Sequence, residues 1–127
     1  MRVAVAGATG LVGRFTVAAL THAGHEVLEL SRASGVDLRS RTGLAPHLDG
    51  ASAVIDVTNT GATTADEVRA FFGTATRNLL EAEAEAGVGH HVLLSIVGME
   101  RIGDGNPHYA GKLLQEELVE VGPVPCT

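Results

Sequence analysis

Three glycines spaced three residues apart, Gly7, Gly10 and Gly13, constrain the fold of this chain more than any other feature. They follow Arg2–Ala6, an apolar run that predicts a strand buried on both faces of a parallel sheet. They open the segment Leu11–Ala23, in which apolar residues recur at helical spacing. The residues that predict the buried face of this helix are Leu11, Phe15, Ala18, Ala19 and Leu20. The glycines therefore join a strand to a helix.

Strands and helices alternate through the rest of the chain. Further strands are predicted at Glu26–Leu30, at the end of the loop Ser31–Leu38, at Ala51–Val57 and at His91–Ile96. Helices are predicted around Thr42–Leu48, from Thr63 or Thr64 to a stop at Gly87, and at His108–Val121. The pattern predicts one doubly wound α/β domain over residues 1–127, a Rossmann-type parallel sheet with strand order 3-2-1-4-5.

The two long helices carry apolar stripes that predict their buried faces. Thr64 is a candidate N-cap, with Glu67 at the capping-box position. The stripe of the first of these helices is Val68, Phe71, Phe72, Ala75, Leu79, Ala82 and Ala86. The stripe of the second is Leu113, Leu114, Leu118 and Val121.

Composition excludes several classes of function. A net charge of −6 and 3% aromatic residues disfavour nucleic-acid binding, which uses clustered basic side chains and aromatic platforms. Adjacent His90 and His91 point to opposite faces of a strand, so no metal site is expected. No apolar run reaches the length of a membrane span. A single cysteine, Cys126, permits no internal disulfide, which favours a reducing cytoplasm.

The glycines have a chemical interpretation beyond a tight turn. Gly7 permits the turn, Gly10 lets backbone approach a pyrophosphate, and Gly13 lets the helix pack closely on the strand. The amides and dipole of the helix N-terminus then face the phosphates. Glycines alone also mark structural turns, but the surrounding βαβ unit favours a dinucleotide site.

Together with further segments, the loop Gly7-Ala8-Thr9-Gly10-Leu11-Val12-Gly13 resembles the atypical short-chain dehydrogenase/reductase family, in particular its NmrA-like members. The resemblance covers nearly the whole chain. The other segments that carry it are Gly35-Val36-Asp37-Leu38, Val54-Ile55-Asp56-Val57-Thr58-Asn59, Ala75-Thr76-Arg77-Asn78-Leu79-Leu80, Leu94-Ser95-Ile96-Val97-Gly98 and Tyr109-Ala110-Gly111-Lys112-Leu113.

The resemblance implies that the chain binds a nicotinamide dinucleotide. It places Asp37 and Leu38 beside the adenine, and Thr58 and Asn59 along the cofactor near its ribose. Ser95 would lie by the nicotinamide. The remaining implied contacts are Gly7, Thr9, Gly10, Leu11 and Val12 at the pyrophosphate and Lys112 at the nicotinamide ribose.

The residues after the second strand favour NADP over NAD. An NAD site usually has a carboxylate there for the ribose 2′-hydroxyl, whereas this chain has Ser31 followed by Arg32. A hydroxyl and a guanidinium suit a 2′-phosphate. Arg14 is an alternative source of this charge, and Arg32 is otherwise an ordinary solvated loop residue.

The resemblance also implies carbonyl or quinone reduction, in which a tyrosine donates a proton, a lysine four residues later lowers its pKa, and a serine polarises the carbonyl. The candidates are Ser95, His108, Tyr109 and Lys112. The position four before Lys112 is His108, and Tyr109 lies only three before it. Histidine titrates near neutrality and can act as the acid. The alternative is that both residues cover cofactor or core without chemistry.

At the end of the chain, Val124–Thr127 resembles the approach to a sixth strand, and the family's C-terminal strands and substrate region are expected to be lacking. The fifth strand is then a bare apolar edge, which predicts a homo-oligomer or a fragment of a longer protein. Three function classes stay open: an NADPH-dependent reductase, a non-catalytic redox sensor acting through a protein partner, and a cofactor lobe without activity.

Overall fold

A computed structural model describes residues 1–41, 43–102 and 105–127. The strands are β1 (Arg2–Ala6), β2 (Glu26–Leu30), β3 (Ala53–Asp56) and β4 (His90–Leu93). They form one parallel sheet with the order β2-β1-β3-β4. The helices are α1 (Leu11–His22), α2 (Leu44–His47), α3 (Ala65–Ala86), α4 (Met99–Ile102) and α5 (Pro107–Val121). The architecture is a Rossmann-like α/β sheet.

The predicted strand order is wrong at its outermost member, because the end of the loop Ser31–Leu38 forms turns instead of a strand. The Val36 amide donates to the Ser31 carbonyl, and the Ser40 amide donates to the Asp37 carbonyl. The Asp37 side chain also accepts from the Arg39 amide at 3.0 Å. These local hydrogen bonds compete with pairing to a neighbouring strand. The other four strands keep the predicted relative order.

Alternation along the strands directs two faces of the sheet to different helices. Ala4, Ala6 and Val54 point to the face where Leu79 of α3 completes the main core cluster. Helix α1 contacts β1 and β2. It lies on the opposite face, as right-handed crossovers to the two sides of β1 require.

The predicted buried face of α1 is wrong. Leu11 is 68% exposed and Phe15 71% exposed, and Ala18 and Ala19 are exposed too. The helix instead packs through the face that carries Gly13, which is buried against Gly7 and Ala8. The approach is so close that a Cβ on Gly13 would overlap the Gly7 carbonyl oxygen. The closest approach of the helix to the loop after β1 therefore sets the rotation of α1.

Helix α3 matches its prediction closely. The Thr64 hydroxyl caps it by accepting from the Glu67 amide at 3.3 Å. Its buried residues include Val68, Phe72, Ala75, Leu79 and Ala82, whereas Phe71 and Ala86 are half-buried.

At the end of α5, Val121 is 83% exposed, contrary to its predicted place in the stripe, while Leu113, Leu114 and Leu118 are half-buried. Helix α2 is shorter than the helix predicted around Thr42–Leu48, and Thr42 itself lies outside the described residues. Helix α4 was not predicted. It lies in the connection between β4 and α5, and residues 103 and 104 of this connection also lie outside the described part.

The outer edge of β4 is paired, so the expectation of a bare edge is wrong here. The His91 amide donates to the Pro125 carbonyl, and the Thr127 amide donates back to the His91 carbonyl. The Leu93 amide donates to the Thr127 carbonyl at 2.9 Å. The last three residues thus run parallel to β4. Within the described ranges, no helix is long and apolar enough to cross a membrane.

Candidate functional site

The loops after all four strands meet around one cleft of about 650 Å³. It lies at the carboxyl ends of the strands, next to β1, which has β2 on one side and β3 on the other. Ligands usually bind at this position in such sheets. Most of the predicted site residues line it: Gly7, Thr9, Gly10, Leu11, Val12, Ser31, Arg32, Asp37, Leu38, Thr58, Asn59, Ser95, His108 and Lys112. The lining does not include Gly13 or Tyr109.

The glycine loop presents the start of α1 to the cleft. Gly7 has φ +82°, and a Cβ there would lie 2.8 Å from the Val57 carbonyl oxygen, so the turn requires glycine. A Cβ on Gly10 would meet only the Gly7 oxygen, at 3.3 Å, which leaves the space above this backbone open. Helix α1 has neither a side-chain cap nor an acidic residue in its first turn. Its first amides are therefore available to an anion.

The loop after β2 forms a basic wall. Ser31 and Ser34 cap one another, the hydroxyl of each accepting from the backbone amide of the other, at 3.3 and 3.0 Å. This arrangement holds the exposed Arg32 beside the cleft. Arg39, which sequence reasoning missed, lines the same wall, and its Nε lies 3.7 Å from Asp37 Oδ1. Arg14, the alternative cation, is not part of the lining.

A buried carboxylate shapes the loop after β3. Asp56 Oδ1 accepts from the Thr58 amide at 2.9 Å and from the Thr58 hydroxyl at 2.7 Å. Thr58 lines the cleft while Asp56 lies beneath it, buried. The Asn78 side chain of α3 donates to the Leu38 carbonyl at 2.7 Å, so α3 fixes the loop that carries Asp37 and Leu38.

Helix α5 brings two polar side chains, His108 and Lys112, to the opposite end of the cleft. Asn106 caps the helix through the His108 amide, at 2.9 Å. His108 then shares the cleft with Lys112, one turn later, and packs edge-on against Phe72 with ring centroids 5.8 Å apart. Tyr109 is half-buried outside the lining. The register thus places the histidine, and not the tyrosine, with the lysine.

Ser95 and Lys112 both have partners from the protein. The Ser95 hydroxyl donates to Glu116 Oε1 at 2.5 Å, so its hydrogen points at a carboxylate. Lys112 Nζ donates to the Leu94 carbonyl and to Gln115 Oε1, each at 2.6 Å. Burial lowers the pKa of Lys112, against the opposing fields of Asp56 and Glu116.

A second buried polar pair lies outside the cleft. His91 Nδ1 is 2.7 Å from Glu83 Oε1, and both side chains are fully buried. Burial raises the pKa of Glu83, against the opposing hydrogen bond and charge of His91. Across the described residues, no group of three His, Cys, Asp or Glu side chains could hold a metal ion.

The residues that sequence reasoning missed are Asp56, Gln115, Glu116 and Arg39. Gln115 lies three residues after Lys112, a spacing that puts both on one helical face and that could have drawn attention to it. The contact between Gln115 and Asp56 joins positions 59 residues apart and has no local signal.

A family model described as the NAD dependent epimerase/dehydratase family matches residues 3–125. Among curated proteins, no sequence matches significantly. Solved structures do match. A short-chain dehydrogenase/reductase superfamily protein from Agrobacterium tumefaciens with bound NAD is 26% identical, with a TM-score of 0.80, over 99% of this chain and 47% of its own.

A UDP-glucose 4-epimerase from Thermus thermophilus in complex with NAD is 25% identical, with a TM-score of 0.74, over 95% of this chain and 50% of its own. An oxidoreductase from Lactococcus lactis, at 20% identity and a TM-score of 0.83 over 99% of this chain and 66% of its own, shares the fold. The chain spans about half the length of the first two structures. Because the family model matches nearly every residue of the sequence, the chain belongs to the NAD dependent epimerase/dehydratase family.

Proposed function

We propose that this chain binds NADP(H) in the cleft and forms the cofactor-binding part of a reductase for a carbonyl or quinone substrate. The observation that carries the proposal is the continuity of the cleft from Arg32 past the open backbone at Gly10 to Lys112. The α1 amides lie between the two ends, where the pyrophosphate of a dinucleotide belongs. The NAD bound in two of the similar structures supports a nicotinamide dinucleotide.

The preference for NADP rests on the charge beside β2. Ser31 replaces the carboxylate that accepts from the ribose 2′-hydroxyl in NAD sites. Arg32 and Arg39 supply two guanidinium groups there, and a guanidinium binds phosphate by charge-assisted hydrogen bonds. Among the residues that the structure describes, Asp37 is the one acidic side chain in the lining, and its charge is offset by Arg39.

Titration with NADPH, NADP⁺, NADH and NAD⁺ tests the proposal. We expect Arg32→Ala to weaken NADPH binding at least about tenfold and NADH binding little, since one charge-assisted contact to the 2′-phosphate is lost. Arg14→Ala is the matched control and should leave both unchanged. Equal losses for NADPH and NADH would refute the NADP assignment, and no binding of any form by the unaltered protein would refute the cofactor site.

In the proposed reductase, residues of this chain supply the proton and hold the cofactor in position. A bound reduced nicotinamide supplies a hydride to the substrate. His108 would donate the proton to the substrate oxygen. Lys112 would bind the ribose of the cofactor. Ser95 would have to turn its hydroxyl from Glu116 to donate to a carbonyl.

The glycine loop and Tyr109-Ala110-Gly111-Lys112 support an NmrA-like subgroup, and the free Cys126 supports a cytoplasmic site of action.

A second candidate is a nucleotide-binding sensor without turnover. The Ser95–Glu116 hydrogen bond and the position of Tyr109 outside the cleft favour it. NADPH oxidation against a panel of quinones and aldehydes separates the two, with Lys112→Met as the inactive control. Turnover lost in that variant supports the reductase. Tight binding of NADPH without turnover of any substrate supports the sensor.

A further inference from the structure

A line of buried hydrogen bonds runs beneath the cleft from α5 to the end of β3. Lys112 Nζ donates to Gln115 Oε1 at 2.6 Å, and Gln115 Nε2 donates to Asp56 Oδ2 at 2.9 Å. The other Asp56 oxygen accepts from the amide and hydroxyl of Thr58. Lys112 is only 5% exposed, and Asp56 and Gln115 are buried as well. Thr58 and Lys112, at the ends of this line, both reach the cleft.

The two opposite charges fix the direction of the Gln115 amide. Its oxygen faces an ammonium and its nitrogen faces a carboxylate. Turning the amide over would put donors against the ammonium and an acceptor against the carboxylate, and both hydrogen bonds would be lost. A buried charge left without such a partner is costly. Gln115 is therefore held in one orientation.

Lys112 has three N–H donors, and two have acceptors, the Leu94 carbonyl and Gln115. Its Nζ lies 5.1 Å from the centre of the Phe72 ring, which limits movement on that side. With two directions of a tetrahedral ammonium fixed, the third follows. Lys112 lines the cleft, so the remaining N–H is the one available to a ligand there.

We propose that Gln115, oriented by Asp56, is the positioning residue that directs the Lys112 ammonium toward ligand oxygens in the cleft. The proposal rests on the proposed function, because the ligand is the ribose of a nicotinamide dinucleotide. An amide suits this task better than a carboxylate. It accepts from Lys112 without forming an ion pair, so the positive charge stays available to the ligand, and it donates to Asp56, which a carboxylate would repel.

The sequence offers a direct test, because Lys112 is the only lysine in the chain. Protein labelled with ¹³C and ¹⁵N lysine therefore gives a single side-chain signal in NMR spectra. In the unaltered protein without cofactor, we expect a slowly exchanging ammonium signal that reports a fixed, hydrogen-bonded Nζ. A signal with the fast solvent exchange of an exposed lysine would overturn the proposal without any variant.

Two substitutions are expected to move the Lys112 titration in opposite directions. Gln115→Met removes the acceptor and should move the pKa of Lys112 further below its ordinary value. Gln115→Glu places a third carboxylate beside those of Asp56 and Glu116 and should raise that pKa. Glu117→Gln, an exposed position on the same helix, is the control and should leave it unchanged. A general loss of packing would not give opposite signs.

Binding completes the test. Gln115→Met should weaken NADPH binding about tenfold, the order of one hydrogen bond to a charged group, while Glu117→Gln should not. NADPH binding unchanged by Gln115→Met, or one Lys112 titration shared by all the variants, would overturn the proposal. Failure of the unaltered protein to bind any nicotinamide form would instead overturn the proposed ligand, and the NMR titrations would then decide the role of Gln115 alone.

Discussion

Glu83 and His91 are ionisable side chains buried in contact on the face of the sheet that α3 covers. Glu83 Oε2 and His91 Nε2 have no hydrogen-bond partner among the residues that the structure describes. A carboxylate with one free oxygen is poorly solvated there, which is why burial raises the pKa of Glu83.

This pair makes stability depend on pH. The folded protein holds the Glu83 proton more tightly than the unfolded chain, whose glutamate has a pKa of about 4.5. The free energy of unfolding therefore falls as pH rises from about 4.5 to the folded pKa, and the loss is complete above it. Glu83→Gln removes this ionisation, so the stability of the variant relative to wild type should rise with pH over that range.

Urea denaturation at intervals from about pH 4.5 to 8 measures the effect. Glu120→Gln, at an exposed position on α5, is the control for loss of one negative charge. A constant difference between Glu83→Gln and wild type at every pH would contradict the prediction.

At the scale of elements, the contact between α3 and α5 depends on one glycine. A Cβ on Gly111 would overlap Val68 Cγ1 and lie 2.7 Å from Phe72 Cδ2. Gly111→Ala should therefore cost about 1–3 kcal/mol of stability by overpacking. This net loss already includes the gain of roughly 1 kcal/mol in stability that alanine gives over glycine inside a helix. Thermal or urea denaturation measures it.

Gly73→Ala is the matched control across the same interface. Its Cβ would meet only the movable ends of Arg77 and Leu114, at 3.1 and 3.3 Å, so it should be neutral or stabilising. Equal stabilities of the Gly111→Ala and Gly73→Ala variants would show that close packing at Gly111 is not what limits the approach of α5.

The sequence predicts an element well where local contacts determine it, and poorly where contacts between distant parts of the chain do. The face and cap of α3 were readable because helical periodicity and the hydrogen bond from the Glu67 amide to Thr64 are local. The rotation of α1 was not, because it is set by contact of Gly13 with the loop after β1. The strand predicted before Leu38 lost to turns around Asp37, whose side chain competes for backbone amides.

The same distinction holds for the site. The glycine loop and the position of His108 four residues before Lys112 could be predicted from spacing. The partners of Lys112 and Ser95 depend on how α5 packs over β3 and β4, which no local pattern in the sequence encodes.

At the scale of the whole molecule, three exposed apolar side chains lie close together on α1. Leu11 and Phe15 lie one turn apart on the same helical face and are both largely exposed, with the half-exposed Val12 beside them. Leu11 and Val12 line the cleft, so a bound cofactor contacts them, but Phe15 is not part of the lining. Contiguous exposed apolar side chains of this kind mark surfaces that associate.

We therefore expect the self-association predicted from the sequence to proceed through α1, since the edge of β4 is already paired with Pro125–Thr127. Sedimentation velocity at micromolar concentrations should detect oligomers of the unaltered protein. Phe15→Glu should shift them to monomer by placing a charge in the contact. Val121→Glu makes the same kind of change at another largely exposed apolar residue, on α5, and should leave association intact. A monomeric unaltered protein, or equal association of the two variants, would contradict an α1 interface.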